Sequence, residues 1–153
     1  MSLIEVTRQR QRLDDLFEKA RAFPDAELQS HWCRYLCVLV SGFLENSVKL
    51  TYSEYARRRS DPSVADFVQS RLQQFQNPKM GAILDVVGSF SQEWKDWLDD
   101  KTNDRIGESV NSIVGNRHKI AHGESVGLTL RSLNQYYSDA LRVVEFMQEQ
   151  CGL

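Results

Sequence analysis

The chain has 153 residues, a net charge of -2, 41% hydrophobic residues and 26% charged residues. These values suit one domain, residues 1–153, with a real core, and they exclude wholesale disorder. A pI near 5.9 excludes a protein that grips long nucleic acid mainly by charge, so any such contact is expected to be local and short.

Helical periodicity runs through nearly the whole chain, with no convincing alternating strand. A first helix is expected from Ser2, whose side chain and Glu5 fit a capping box, to about Ala22. Leu13, Leu16 and Phe17 mark its buried stripe. A second, unusually long helix starts near Pro24 or Asp25 and runs to Arg59. Its apolar face is Leu36, Val40, Phe43, Leu44, Val48 and Tyr52, and Gly42 is a candidate kink. Arg57, Arg58 and Arg59 complement the dipole at its end. Ser60-Asp61-Pro62 then starts a third helix, expected to reach Phe75. Asn77-Pro78 breaks it. A fourth piece spans Pro78 to Phe90, and the segment around Trp94 and Trp97 is variable. Asp99 to Asn103 reads as a polar turn. A helix from about Asn103 to Ala121 turns Ile106, Val110, Ile113, Val114 and Ile120 inward, with Gly123 as a left-handed stop. A last helix covers about Thr129 to Gln148, with Leu130, Leu133, Tyr137, Leu141, Val144 and Phe146 for packing. The expected class is all-α: an antiparallel up-and-down bundle of four to five main helices with short inserted helices.

Three cysteines, Cys33, Cys37 and Cys151, show no CxxC or metal-finger spacing and are expected to be reduced core thiols in a cytoplasmic protein. The N-terminus lacks an apolar signal region, and the richest apolar run, Tyr35 to Leu44, is far shorter than the roughly 20 residues of a membrane span.

The chemistry concentrates in Gly115-Asn116-Arg117-His118-Lys119-Ile120-Ala121-His122-Gly123. On an ideal helix His118 and His122 lie about 40° apart on one face, whereas Arg117 and His122 are about 140° apart. The helix therefore ends near His122, or the site is wide. A histidine at a helix C-terminus is favoured as imidazolium and is well placed to donate a proton. An arginine can hold a phosphate through two parallel hydrogen bonds. Two plainer readings stand beside this one. The segment is also what a solvated, dipole-matched helix end looks like. Histidines at i and i+4 can chelate zinc, although Arg117 and Lys119 would repel a divalent cation. Trp94, Trp97, Tyr136 and Tyr137 could stack on unpaired bases, but such aromatics more often serve the core. Arg57 to Arg59 read best as a charged helix end, and His31 has no obvious partner.

Arg117-His118-Lys119-Ile120-Ala121-His122 resembles the Arg-x4-6-His signature of the HEPN superfamily, and the following glycine is similar to RiboL-PSP-type members. The resemblance implies a helical bundle that pairs as a homodimer, with two motifs facing each other across one cleft. It implies metal-independent cleavage of single-stranded RNA by 2′-OH transesterification, without a cofactor, in toxin–antitoxin, antiphage or RNA-processing systems. An antitoxin or modifying enzyme would be a further partner; a membrane would not. On this chain Arg117 and His122 would be the motif residues and His118 the supporting polar one. Lys119 and Asn116 would contact substrate, and Glu45 would be a supporting carboxylate. The alternative is a non-catalytic RNA- or protein-binding helical module.

Overall fold

The computed structural model describes residues 2–153, with side chains from residue 3 onward. The Ser2–Glu5 capping box therefore lies outside the described residues. Seven helices are described: α1 (Ser2–Arg21), α2 (Ala26–Arg59), α3 (Pro62–Leu72), α4 (Met80–Phe90), α5 (Gln92–Thr102), α6 (Arg105–Ala121) and α7 (Leu130–Cys151). The all-α expectation holds, with four long helices and three short ones.

The 34-residue α2 is the spine. The Asp25 side chain accepts from the Glu27 N–H to cap it, and it runs through Gly42 without interruption. Its stripe of Leu36, Val40, Leu44, Val48 and Tyr52 is fully buried, with Cys33 and Cys37 on the same face. Side-chain contacts give the directions of the other long helices. Asp14 of α1 meets Tyr137 of α7, and Arg21 meets Asn134, so α1 and α7 are antiparallel. Phe43 lies against Tyr137, and Tyr52 donates to Gln150, so α2 and α7 run parallel. Ser109 pairs with Asp139, which makes α6 and α7 an antiparallel hairpin. The four long helices thus alternate up and down. The packing of Phe17 flat on Tyr137, at 4.7 Å between ring centroids, joins α1 to α7.

Several boundaries differ from expectation. α3 stops at Leu72, because Gln73 caps it and Phe75 is already in a turn bonded to the Leu72 carbonyl. α4 begins at Met80 rather than Pro78, since Asn77 takes a positive φ of 54° and the backbone enters the helix only after Lys79. The segment around Trp94 and Trp97 is a full helix, α5, capped by the Ser91 side chain accepting from the Trp94 N–H. Asp99 to Thr102 belong to its last turn instead of a loop. Trp94 packs among Tyr55, Phe90 and Tyr52, and Trp97 lies edge-on to Phe146, so both serve the packing of α5. A side chain at Gly107 would run into the Thr102 carbonyl oxygen, so a glycine is needed where α6 turns back past α5.

All three cysteines are buried and free. Burial pushes the Cys37 and Cys151 thiols from an ordinary 9.0 up to about 12. None is a nucleophile near neutral pH.

The polar lock of the α6–α7 hairpin is Asp139, buried at 1% exposure. It accepts from Ser109 Oγ at 2.6 Å and from Arg105 at 3.0 and 3.3 Å, and also from Gln135. Arg105 is itself mostly exposed, so the screened ion pair contributes less than the buried hydrogen bonds. Asp139→Ala strands Ser109 and is expected to cost about 1–3 kcal/mol, read from denaturant unfolding. Arg105→Lys, which keeps the charge, should cost less. Equal stability of Asp139→Ala and the parent chain would remove this lock from the account.

Candidate functional site

The last turn of α6 ends on its own backbone. The Glu124 N–H donates to the Lys119 carbonyl at 2.9 Å and the Gly123 N–H to the Ile120 carbonyl at 3.1 Å. That is a Schellman turn, and it requires the left-handed backbone that Gly123 adopts at φ 72°. His122 is the capping residue, so the helix ends between Arg117 and His122 as the sequence suggested. Residues 122–129 then cross to α7, where Thr129 and Ser132 bond reciprocally to start the helix.

The side chains sort by their angle on α6. Val110, Ile113 and Val114 form the buried stripe, and Arg117 continues it at i+7, i+4 and i+3. A guanidinium thus occupies a position that packing alone would fill with an apolar group. It is half-buried, and among the described residues no carboxylate pairs with it. The Cys37 thiol reaches the Ile113 carbonyl at 3.5 Å. Because α2 and α6 are antiparallel, one turn further places Arg117 level with Cys33 and Arg34. The Nε of Arg34 is buried with no hydrogen-bond partner. Arg34 was not singled out in the sequence, where it reads as one polar residue in an apolar run.

His118 and His122 are exposed and adjacent, with ring centroids 4.5 Å apart and planes at 61°. The one-face expectation for this pair is met. His118 and Lys119 line a cavity of about 580 Å³ together with Asn77, Lys79 and Glu124. Asn77 and Lys79 come from the α3–α4 connector, which the sequence marked only as a break. Asn111 Oδ1 accepts from the Met80 N–H at 2.9 Å and ties that connector to α6. Glu45 does not reach the histidines through a hydrogen bond: its carboxylate takes the Asn77 N–H at 3.3 Å and Lys49 at 3.2 Å. Asn116 sits about 160° around the helix from His118, away from the cavity. His31 does have a neighbour, Glu27, at 3.9 Å one turn back. Arg57 bonds Gln69, Arg58 pairs with Glu54, and Arg59 lies over Tyr55, so the three-arginine run is engaged at its own helix end.

The net effect is a cationic patch on an acidic protein. Lys119 and Lys79 share the cavity with His118, Arg117 stands on the neighbouring face of α6, and none of the three pairs with a carboxylate among the described residues. Among the described residues no three His, Cys, Asp or Glu side chains cluster as metal ligands.

The RiboL-PSP-HEPN family model matches residues 4–152. The chain belongs to the RiboL-PSP-HEPN family. The match spans α1 to α7, so the Arg-x4-His segment of this HEPN chain lies inside the matched region, at the end of its penultimate helix. Membership supports an RNA-related, nuclease-type role. No curated protein and no solved structure gives a significant match. No described helix is long and apolar enough to cross a membrane.

Gly123→Ala forces an L side chain into left-handed backbone and should cost about 1–2 kcal/mol, with Gly123→Asn milder. Unfolding curves for the two variants test the order, and an unaffected Ala variant would mean the turn re-forms another way.

Proposed function

We propose that this HEPN protein is a metal-independent endoribonuclease that cleaves single-stranded RNA at Arg117, His118 and His122. The observation that carries the reading is a half-buried Arg117, with no carboxylate partner among the described residues, on the same helix end as two touching imidazoles. The ribose 2′-OH attacks the adjacent phosphorus and the 5′-oxygen leaves, giving a 2′,3′-cyclic phosphate and a 5′-hydroxyl. His122 and His118 handle the protons, worth roughly 10²–10⁴ in rate. Arg117 binds the phosphate as charge builds, worth roughly another 10²–10³ by analogy with oxyanion donors. Lys79 and Lys119 share the cavity with His118 and disfavour a divalent ion there, although Glu124 lines it too. DNA lacks the attacking hydroxyl and resists.

One acid and one base on opposite sides of a phosphate are more than adjacent imidazoles on a single helix end supply. A second copy of the chain doubles the set, and α2 carries a surface suited to it. Tyr35 and Val38 are 52% and 38% exposed, and both stand on the α2 segment level with α6 from Ile113 to Arg117. On the same outer face a side chain at Gly42 would meet nothing within 4 Å, which leaves room for close helix approach. A C2 homodimer across this face brings the two motifs toward one groove. The family context adds a cytoplasmic toxin–antitoxin, antiphage or RNA-processing setting, with an antitoxin or modifying enzyme as regulator.

Arg117→Ala and His122→Ala should abolish cleavage while changing stability by only about 0.5 kcal/mol. His118→Ala should be milder, Lys119→Ala should act through a salt-sensitive loss of RNA affinity, and excess chelator should leave the rate unchanged. Cleavage with end-group analysis beside unfolding curves decides. Intact RNA with the parent protein under all conditions would leave a binding module as the reading. Separately, Tyr35→Glu with Val38→Glu should give a folded monomer by sedimentation that no longer cleaves; a dimer that persists would place the interface elsewhere.

A further inference from the structure

The cavity beside His118 has a composition that the cleavage chemistry alone does not require. Its volume of about 580 Å³ falls among small-ligand sites, typically about 300–1,000 Å³. Two faces differ in character. Val114 and Gly115 give it a small apolar wall, against which a flat ring can lie. Around the rim stand Lys79 and Lys119, which form no ion pair among the described residues, and two groups suited to reading a base edge, Asn77 and Glu124.

Both residues stand on backbone that is fixed by hydrogen bonds. Asn77 sits in left-handed backbone at φ 54°, with its N–H taken by the half-buried Glu45 carboxylate at 3.3 Å. The Glu124 N–H closes the Schellman turn on Lys119. Two segments remote in sequence, the α3–α4 connector and the end of α6, therefore bring polar side chains to one space from fixed backbone.

We propose that this cavity is the subsite for a guanosine nucleotide of the substrate RNA, the one whose 2′-OH faces His118. A carboxylate only accepts hydrogen bonds. Guanine alone among the four bases offers two parallel donors, N1–H and the N2 amino group, on its Watson–Crick edge, and single-stranded RNA is read on that edge. Glu124 takes the pair, and the Asn77 amide donates to O6. Lys79 and Lys119 hold the flanking phosphates. Glu45 acts as a positioning residue, through Asn77. This inference rests on the ribonuclease reading for the role of His118, but nucleotide binding itself does not need catalysis.

The test uses the full chain and the 3′-monophosphates of guanosine, adenosine, cytidine and uridine, followed by NMR titration and calorimetry. Guanosine 3′-monophosphate should bind tightest and shift the amide signals of Asn77, Lys79, Gly115 and Glu124. Glu124→Gln should weaken it by about fivefold or more, the lower end expected for losing a bidentate base contact, and should narrow the gap to the other three. Glu45→Gln, which keeps the size but weakens the hold on Asn77, should reduce the guanine preference less than Glu124→Gln, with the melting curve unchanged. Equal binding of the four nucleotides, shifts elsewhere on the protein, or indifference to Glu124→Gln overturns the subsite. The two readings fail separately. RNA cut without guanine preference, with no guanosine 3′-monophosphate bound, removes the subsite and keeps the nuclease; guanosine 3′-monophosphate bound at these residues with RNA left whole does the reverse.

Discussion

Burial of one continuous apolar stripe along α2 is the constraint on which the other elements depend. Leu36, Val40, Leu44, Val48 and Tyr52 exclude water at five positions along the helix, and each side chain of this size contributes about 1.5–3 kcal/mol when fully buried. A helix so long is not held straight by propensity; partners on several sides hold it. α1 and α6 take the first half, α7 runs beside both from Phe43 to Tyr52, and α3, Phe90 of α4 and Trp94 of α5 cover the second. The place of α6, and so of its histidine-bearing terminus, follows from that packing and from the Asp139 lock rather than from any local preference of the terminal residues.

The two ends of α6 are built on opposite principles. Its start is pinned by buried polarity: Ser109 and Arg105 converge on Asp139. Its end carries Arg117 on a stripe that would otherwise be apolar, with no carboxylate partner among the described residues. Leaving a half-buried guanidinium unpaired costs solvation. Such a group is better explained by what it binds than by what it stabilises.

Much of the bundle was legible because long amphipathic helices write their burial into spacing. The inward positions read for α2, Leu36 through Tyr52, are the buried ones, and Gly123 marked the end of α6 within a residue. α5 was missed because Asp99, Asp100, Lys101 and Thr102 look like a turn by composition. The Ser91 cap, which decides its start, lies in a short link whose role shows only once Trp94 packs on Tyr55 and Phe90. In the candidate site the Arg-His-His segment was visible because its residues are neighbours in sequence. Asn77, Lys79 and Arg34 were not, since they come close to it only through the antiparallel packing of α2 with α6 and the Asn111 tie to Met80. Glu45 was noticed for its charge, while its bond to Asn77 follows from the fold.

The self-contained end of α6 has an evolutionary consequence. Its last carbonyls are satisfied by Gly123 and Glu124, within two residues of the cap. Thr129 and Ser132 start α7 with equal independence. Between these two closed ends, residues 125–128 carry no part of either cap. Drift or insertion there can reshape what approaches the histidines without disturbing their mounting. Residues 125–127 can therefore change between the Gly123 turn and Leu128, which packs against the core, while the histidines stay where the bundle puts them.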